Sequence, residues 1–133
     1  MKLSTKARYG LRAIYFLAQN YGKEAVALSK IAEDTGLTQP YLEKLLNLLK
    51  KGKVVKTSRG VSGGYSLSVA PDKISVGQVL RALENNLVIT DCNTTCSTKC
   101  PNRFVFTRLY KEINKTLDNI SIQDMLQENE ENI

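Results

Sequence analysis

Three cysteines, Cys92, Cys96 and Cys100, lie within one nine-residue window in the second half of the chain. Thiolates are the usual protein ligands of iron–sulfur clusters, they also bind zinc, and grouped thiols can carry redox chemistry. The residues between them are mainly Asn, Thr, Ser and Lys, which are not typical of a buried core. The spacing therefore predicts an iron–sulfur cluster site, with zinc, redox thiols and inert structural cysteines as the alternatives.

An iron–sulfur cluster normally takes four protein ligands, so three cysteines leave one position open. The chain contains no histidine, which removes the commonest neutral metal ligand. The fourth ligand is therefore expected from the adjacent Asp91, from another subunit, from a small thiol or from solvent. Iron that is incompletely ligated by protein is more reactive, which suits a sensor.

The charge is distributed unequally along the chain. Residues 1–70 carry twelve Lys and Arg against four Asp and Glu, whereas residues 71–133 carry seven against nine. A basic half is typical of a surface that binds a polyanion such as nucleic acid. The sequence thus indicates a DNA-binding module followed by a cysteine-containing sensor.

Several classes of function are disfavoured by what the sequence lacks. Without histidine, paired carboxylates at suggestive spacing or a glycine-rich nucleotide motif, we do not expect an enzyme or a small-molecule substrate. No apolar run approaches the roughly 20 residues of a membrane span, and the N-terminus lacks the apolar segment of a signal peptide. We expect no membrane partner and a cytoplasmic protein, in a compartment that keeps thiols reduced.

The first half has the pattern of a helix-turn-helix. Apolar spacing predicts helices over residues 5–20, over a short segment that ends at Gly36, and from Thr38, a good N-cap, to Gly52. Four leucines form the buried stripe of the third helix. Its opposite face is polar and either contacts DNA or is merely solvated. The residues of this face are Gln39, Glu43, Lys44, Asn47, Lys50 and Lys51.

A β-hairpin is predicted next, from strand-like residues 54–57 and 65–69. The connection contains Gly60, Gly63 and Gly64, which would let the hairpin tip approach another backbone closely or would only make it flexible. Helix-turn-helix followed by a hairpin is a winged helix-turn-helix, so the fold class is mainly α with a small β-hairpin. Arg59 at the wing tip is then a candidate for a narrow minor groove.

Three further helices are expected after the wing, the first capped by Ser75 and the second a long helix after Pro101. In a small monomer the apolar stripe of the long helix would be left exposed unless another helix covered it. We therefore predict a dimerisation helix, with packing onto helices one and four as the alternative. Residues 122–126 are predicted as a last short helix and 127–133 as a frayed tail. The apolar stripe of the predicted interface is Phe106, Leu109, Ile113 and Leu117.

The predicted organisation is a winged helix-turn-helix with its following helix over residues 1–84, a cysteine-containing sensor loop over 85–101, and the dimerisation helix and tail over 102–133. A group held by the cysteines would lie between the first and last of these parts. It is therefore expected to fix the angle between them.

The chain resembles the bacterial IscR/NsrR/CymR family of winged-helix transcription regulators, and most of all its IscR-like branch. The resemblance covers nearly the whole chain. It rests on LSTKARYG at residues 3–10, LTQPYLEKL at 37–45, VKTSRGVSGGY at 55–65 and SVGQV at 75–79. The wing sequence is the most specific of these.

The resemblance implies a homodimer whose two recognition helices enter successive major grooves of a palindromic operator in double-stranded DNA. It also implies an iron–sulfur cluster on Cys92, Cys96 and Cys100. Two features depart from the cluster-binding pattern. The cysteines are more closely spaced than in the iron–sulfur biogenesis regulators, and this chain has Arg103 near the position where those regulators have a histidine ligand. The nitric-oxide-sensing branch takes an acidic ligand from the first helix of the partner subunit, where this chain has Arg8, so that mode is not expected.

Under this resemblance, the candidates for contacts in the major groove are Tyr41, Glu43, Lys44 and Asn47. Lys6, Arg8, Lys50 and Lys56 are expected to contact phosphates, which position a protein without specifying sequence. Pro40 and Lys44 replace a Ser and a Gln of the biogenesis branch, so a different operator preference is expected. The alternative function is a cluster-free regulator controlled by thiol oxidation or by a partner enzyme, as in the family's cysteine-metabolism branch.

Overall fold

The structure is a computed structural model that describes residues 2–61, 63–84, 87 and 100–131. Over these residues the chain is mainly helical with one antiparallel hairpin, as predicted. A short 3-10 turn, Pro71–Lys73, precedes the fourth helix. The elements in chain order are α1 (Thr5–Gln19), α2 (Leu28–Thr35), α3 (Gln39–Lys51), β1 (Val55–Ser58), β2 (Gly64–Leu67), α4 (Val76–Leu83), α5 (Arg103–Asn119) and α6 (Ile122–Glu131).

Serine caps begin three of the helices. Ser4 accepts a hydrogen bond from the Ala7 amide at 3.1 Å and starts α1, and Ser75 starts α4 in the same way. Ser121 and Asp124 each accept from the other's backbone amide, at 3.0 and 2.9 Å, which is a capping box. Thr38 occupies the N-cap position of α3, but its side chain makes no capping hydrogen bond.

The predicted end of the last helix was wrong. It continues to Glu131, beyond the expected end at residue 126, so residues 127–131 are helical and not a frayed tail. The capping box fixes the first turn, and Leu126 packs against the core from the second turn. Once a helix is nucleated, each added residue contributes one hydrogen bond at little further cost.

One apolar core joins the helix-turn-helix to α4 and α6. The buried stripe of α3 consists of Leu42, Leu45, Leu46 and Leu49, as predicted, and it meets Ile14 and Leu17 of α1. Burying each of these large side chains contributes about 1.5–3 kcal/mol. The stripe therefore fixes which face of α3 is turned outward.

The two strands pair over four residues, from Val55 with Leu67 to Ser58 with Gly64; three of the predicted limits differ by one residue, and β2 ends two residues before its predicted end. A third segment joins them, because Val26 and Tyr65 exchange backbone hydrogen bonds of 2.8 Å in both directions. The wing is thereby attached to the segment that leads into α2.

The long helix α5 has no fully buried residue. Its C-terminal part lies against α4, where Leu117 packs on the core, whereas Phe104, Val105 and Leu109 near its N-terminus are exposed. The predicted packing onto helix four is thus seen for the C-terminal part of α5, and dimerisation through its exposed N-terminal part stays a prediction. Among the described residues, no helix is long and apolar enough to cross a membrane.

Candidate nucleic-acid interface and cysteine segment

The outward face of α3 is polar along its whole length. Gln39, Glu43, Lys44, Asn47 and Lys50 are all exposed, on the side opposite the four buried leucines. A helix of 13 residues is about 20 Å long, and its width fits the major groove of B-DNA. Among the described residues, the lysines of this face form no salt bridge, so their charge is available to an acidic partner.

Tyr41 is placed differently from the rest of the predicted α3 set. It is half-buried, and its ring lies edge-on to that of Tyr9 in α1, with the centroids 6.4 Å apart and the planes at 90°. Such a pair contributes about 0.5–1.5 kcal/mol beyond burial. Tyr41 therefore packs α3 against α1, and any contact with DNA would involve only the exposed part of its ring.

Arg59 and Lys56 are exposed on the wing, as a DNA contact requires. Gly60 has a φ of +105°, a left-handed conformation that favours glycine. Val61 at the tip is fully exposed.

The other two wing glycines are explained by contacts within the protein. A Cβ on Gly63 would lie 2.6 Å from the Ser58 carbonyl oxygen, and one on Gly64 would lie 2.2 Å from the Val26 carbonyl oxygen. These two residues permit the tight turn and the attachment of the wing to the fold. Their roles as residues that approach DNA remain predictions.

The wing and the outer face of α3 are electrostatically coupled. Burial raises the pKa of Tyr65 on β2, and the negative charge of Glu43 on α3 raises it further. The carboxylate and the phenol are therefore close enough to interact.

Two predicted phosphate contacts lie on α1. Arg8 is exposed, and its guanidinium donates to the Thr5 hydroxyl at 3.4 Å, whereas Lys6 is half-buried. Both residues lie in the first turns of the helix. Ser4, which caps that helix, donates its backbone amide to Glu84 at the end of α4 at 3.1 Å.

Of the three predicted ligand cysteines, Cys92 and Cys96 lie outside the described residues. Cys100 is half-buried, has a free thiol, and lies just before α5, where its carbonyl oxygen accepts from the Arg103 amide at 3.2 Å. Within the described part of the chain, no group of three metal-ligating residues is present.

An open cavity of about 620 Å³ adjoins Cys100. Three cationic side chains and one acid lie among the described residues that line it. The described lining residues are Cys100, Arg103, Phe104, Thr107, Arg108, Lys111 and Glu112. Cations beside a thiolate-bound group offset its negative charge, so the surroundings of Cys100 suit an anionic iron–sulfur centre. The sequence supplies three thiolate donors for it and no histidine as the fourth.

The predicted dimer stripe is divided in the fold. Leu109 is 43% exposed, Phe106 and Ile113 are half-buried, and Leu117 packs inward against the core. Phe104 and Val105, which the stripe did not include, are 70% and 49% exposed. Val105 lies four residues before Leu109, so helical spacing places it on the same face as the stripe and could have identified it; Phe104 lies outside that row.

Known proteins are similar in sequence to this chain over most of its length. Residues 3–128 match the profile of the Rrf2 family, described as an iron-dependent transcriptional regulator. The transcriptional regulator IscR of Aliivibrio salmonicida is 34% identical over 98% of this chain and 80% of its own length.

Two solved structures are also similar. That of T. potens IscR is 40% identical, covers 98% of this chain and 90% of its own, and has a TM-score of 0.79. That of CymR, the global cysteine regulator of B. subtilis, is 32% identical, covers 94% of this chain and 95% of its own, and has a TM-score of 0.81. The resemblance seen in the sequence is thus confirmed: the chain belongs to the Rrf2 family of transcriptional regulators.

Proposed function

We propose that this chain is a homodimeric regulator that binds a palindromic operator in double-stranded DNA, and so works in the bacterial cytoplasm. The observation that carries the proposal is the outward polar face of α3, backed by four buried leucines and flanked by the wing with exposed Arg59. A rigidly backed helix with polar residues on its free face can enter a major groove.

The contacts divide into two kinds. Lys6, Arg8, Lys50 and Lys56 supply positive charge for phosphates, which contributes affinity without sequence preference. Gln39, Glu43, Lys44 and Asn47 carry the donors and acceptors that base edges recognise. Arg59 reads the width of the minor groove from the wing tip.

The dimer forms through α5. Its N-terminal half exposes Phe104, Val105 and Leu109, which α4 does not cover. A second copy of the same helix would bury these side chains, and isologous contacts between identical helices generate the two-fold symmetry that a palindrome requires. Ile113 contributes at the edge of this surface.

Cys92, Cys96 and Cys100 form the sensor in this proposal, and they hold an iron–sulfur cluster. When bound, such a cluster supplies a centre that responds to oxidation and to iron supply. The chain's own residues ligate it through three thiolates, while Arg103, Arg108 and Lys111 offset negative charge beside Cys100. Asp91 or a group from outside the chain completes the ligand set.

A second candidate is supported by the similarity to CymR, which is comparable to that to IscR. In this alternative the cysteines hold no cluster and instead act by thiol oxidation, or bind zinc, or the regulator is controlled by a partner protein. Iron, acid-labile sulfide and zinc contents of protein purified without air separate these readings.

The experiment for DNA binding is to select duplexes from a random library with the purified protein and to measure affinity against salt concentration. If a dimer contacts about 6–8 phosphates, its affinity should fall roughly a thousandfold or more between about 50 and 200 mM salt. Selection of a palindrome is the second expected result. A flat salt response, or no enriched sequence, would contradict the proposal.

A further inference from the structure

We propose that Arg81 is a positioning residue that sets the angle between the DNA-binding module and α5, and thereby the half-site spacing that the dimer accepts. This inference rests on the proposed function, because it needs a dimer formed by α5 on a palindromic operator. It adds a specificity-determining residue that lies on α4, away from the outward face of α3.

The evidence begins with the hydrogen bonds of the guanidinium. Arg81 donates from Nη1 to Oδ1 of Asp118 at 2.6 Å and from Nη2 to Oδ1 of Asn114 at 2.8 Å. The two acceptors are four residues apart, so one planar group spans a full turn of α5. The Asn114 amide donates in turn to the Tyr110 carbonyl oxygen at 2.8 Å. The pair therefore restricts both the tilt and the rotation of α5.

The packing beneath this contact is equally close. A Cβ on Gly77 would lie 2.5 Å from Oδ1 of Asp118 and 3.2 Å from Cβ of Leu117, so only glycine allows α5 this near to α4. At the end of α5, Val76 donates to the Ile120 carbonyl oxygen and Ile122 donates to that of Ile74, both at 2.8 Å. The C-terminal part of α5 is thus attached to α4 at several points.

The N-terminal part of α5 has no such attachment among the described residues. Phe104 and Val105 are exposed there, and Cys100 directly precedes the helix. Over the described residues α5 is thus held at its C-terminal end alone, and a helix held in this way behaves as a lever. Its free end carries both the proposed dimer surface and the sensor cysteine.

The dimensions relate a small movement of this lever to the rise of one base pair. Arg103 lies about 16 Å along the axis from Asn114, at 1.5 Å per residue. A tilt of roughly 12° would therefore move the free end by about 3.4 Å, which is the rise of one base pair. Loosening the contact with Arg81 should consequently change the preferred separation of the half-sites or broaden it.

The contact is suited to positioning more than to stabilising the fold. The Arg81 and Asp118 side chains are 41% and 50% exposed, and exposed ion pairs contribute little to the free energy of unfolding. Substitution at position 81 should therefore leave the protein folded. This property allows geometry and stability to be measured separately.

The experiment uses the palindrome selected with the wild-type protein and derivatives in which the half-sites are one or two base pairs closer together or farther apart. Arg81→Lys keeps the positive charge but cannot donate to both acceptors in the same planar geometry. Asp118→Asn removes the charge of the partner. Lys115→Ala, which removes an exposed cation from α5, is the control. Thermal unfolding verifies that each variant is folded.

The wild type and the control should bind one spacing at least about tenfold more tightly than its neighbours, a difference of about 1.4 kcal/mol. Arg81→Lys and Asp118→Asn should both reduce that ratio to about threefold or less, or move the optimum. If Arg81 instead contacted phosphate, Arg81→Lys would behave as wild type and Asp118→Asn would bind every duplex more tightly; either result overturns the inference. A wild type that selects no palindrome would contradict the proposed function itself.

Discussion

Val26 and Tyr65 exchange two backbone hydrogen bonds of 2.8 Å and so join the wing to the segment before α2. This approach is possible because Gly64, the neighbour of Tyr65, has no side chain to meet the Val26 carbonyl. The wing is therefore part of the helix-turn-helix framework. Its strand β2 is fixed by backbone hydrogen bonds to the segment before α2.

Gly64→Ala should destabilise the protein because the new Cβ would lie 2.2 Å from the Val26 oxygen, and the bridge must move to admit it. We expect a cost of about 2–3 kcal/mol, in the range of overpacked or broken buried contacts. Gly22→Ala is the control: its φ is +85° but its surroundings are open, so only the conformational cost of about 1–2 kcal/mol applies. Urea unfolding measures both, and equal midpoints would contradict the role of Gly64.

The helices could be predicted from the sequence because their signals are local. Ser75 precedes an apolar repeat and caps α4, and the leucines of α3 alternate at helical spacing with its charged residues. Such patterns act within a few residues, so the chain itself specifies them. The same locality made the order of helix-turn-helix and wing predictable.

The tertiary contacts could not be predicted in this way. The sequence predicts that Gly64 lets the wing approach another backbone closely, as in DNA binding. Only the fold shows that the Val26 carbonyl lies in the space beside it. Leu109 and Leu117 belong to one apolar repeat, yet α4 covers only the second. Arg81 is more than 30 residues from Asn114 and Asp118 along the chain, and no local pattern links it to them.

Tyr65 should make stability depend on pH in the alkaline range. Burial, and then the charge of Glu43, raise the pKa of the folded phenol above its usual value of 10.0. The folded state holds this proton more tightly than the unfolded state, so the stabilisation is complete below pH 10 and is lost as pH rises through the folded pKa. Tyr65→Phe should therefore lose less stability than wild type between pH 9 and about 11, measured by urea unfolding. Parallel curves would contradict the coupling.

Leu109→Asp should produce folded monomers. Leu109 is 43% exposed in the single chain, so a carboxylate there disturbs only the association of two copies. Leu117→Asp is the matched comparison: it places a charge against the core and should lower the free energy of unfolding by about 2 kcal/mol or more. Light scattering and thermal unfolding report the two effects. A dimeric Leu109→Asp variant would place the interface elsewhere.

Arg59→Ala should reduce discrimination more than general affinity for DNA. Its guanidinium is exposed at the wing tip, and the expected loss on the selected operator is about 1–3 kcal/mol. Lys56→Ala, on the neighbouring strand, should weaken operator and random duplex by the same factor, because a phosphate contact carries no sequence information. Fluorescence anisotropy with both duplexes measures the ratio. Equal losses for Arg59→Ala would make it another phosphate contact.

The cysteine site is tested by iron and sulfide reconstitution without air. The wild type should become coloured and bind iron and acid-labile sulfide, whereas Cys92→Ser, Cys96→Ser and Cys100→Ser should each bind less, because each removes one of three thiolates. Asp91→Ala should alter the visible spectrum if its carboxylate is the fourth ligand. A wild type that stays colourless and contains one zinc per chain would instead support the zinc alternative.

The effect on DNA separates a sensor from a structural site. Cys100 directly precedes the free end of α5, so filling or emptying the site should move that end relative to α4 and change operator affinity. A tenfold change requires only about 1.4 kcal/mol of coupling between the two sites. Affinity for the selected palindrome is therefore measured before and after reconstitution, with Cys100→Ser treated identically as the control. If the reconstituted and metal-free wild-type proteins bind it equally, the site is structural and the sensing proposal fails.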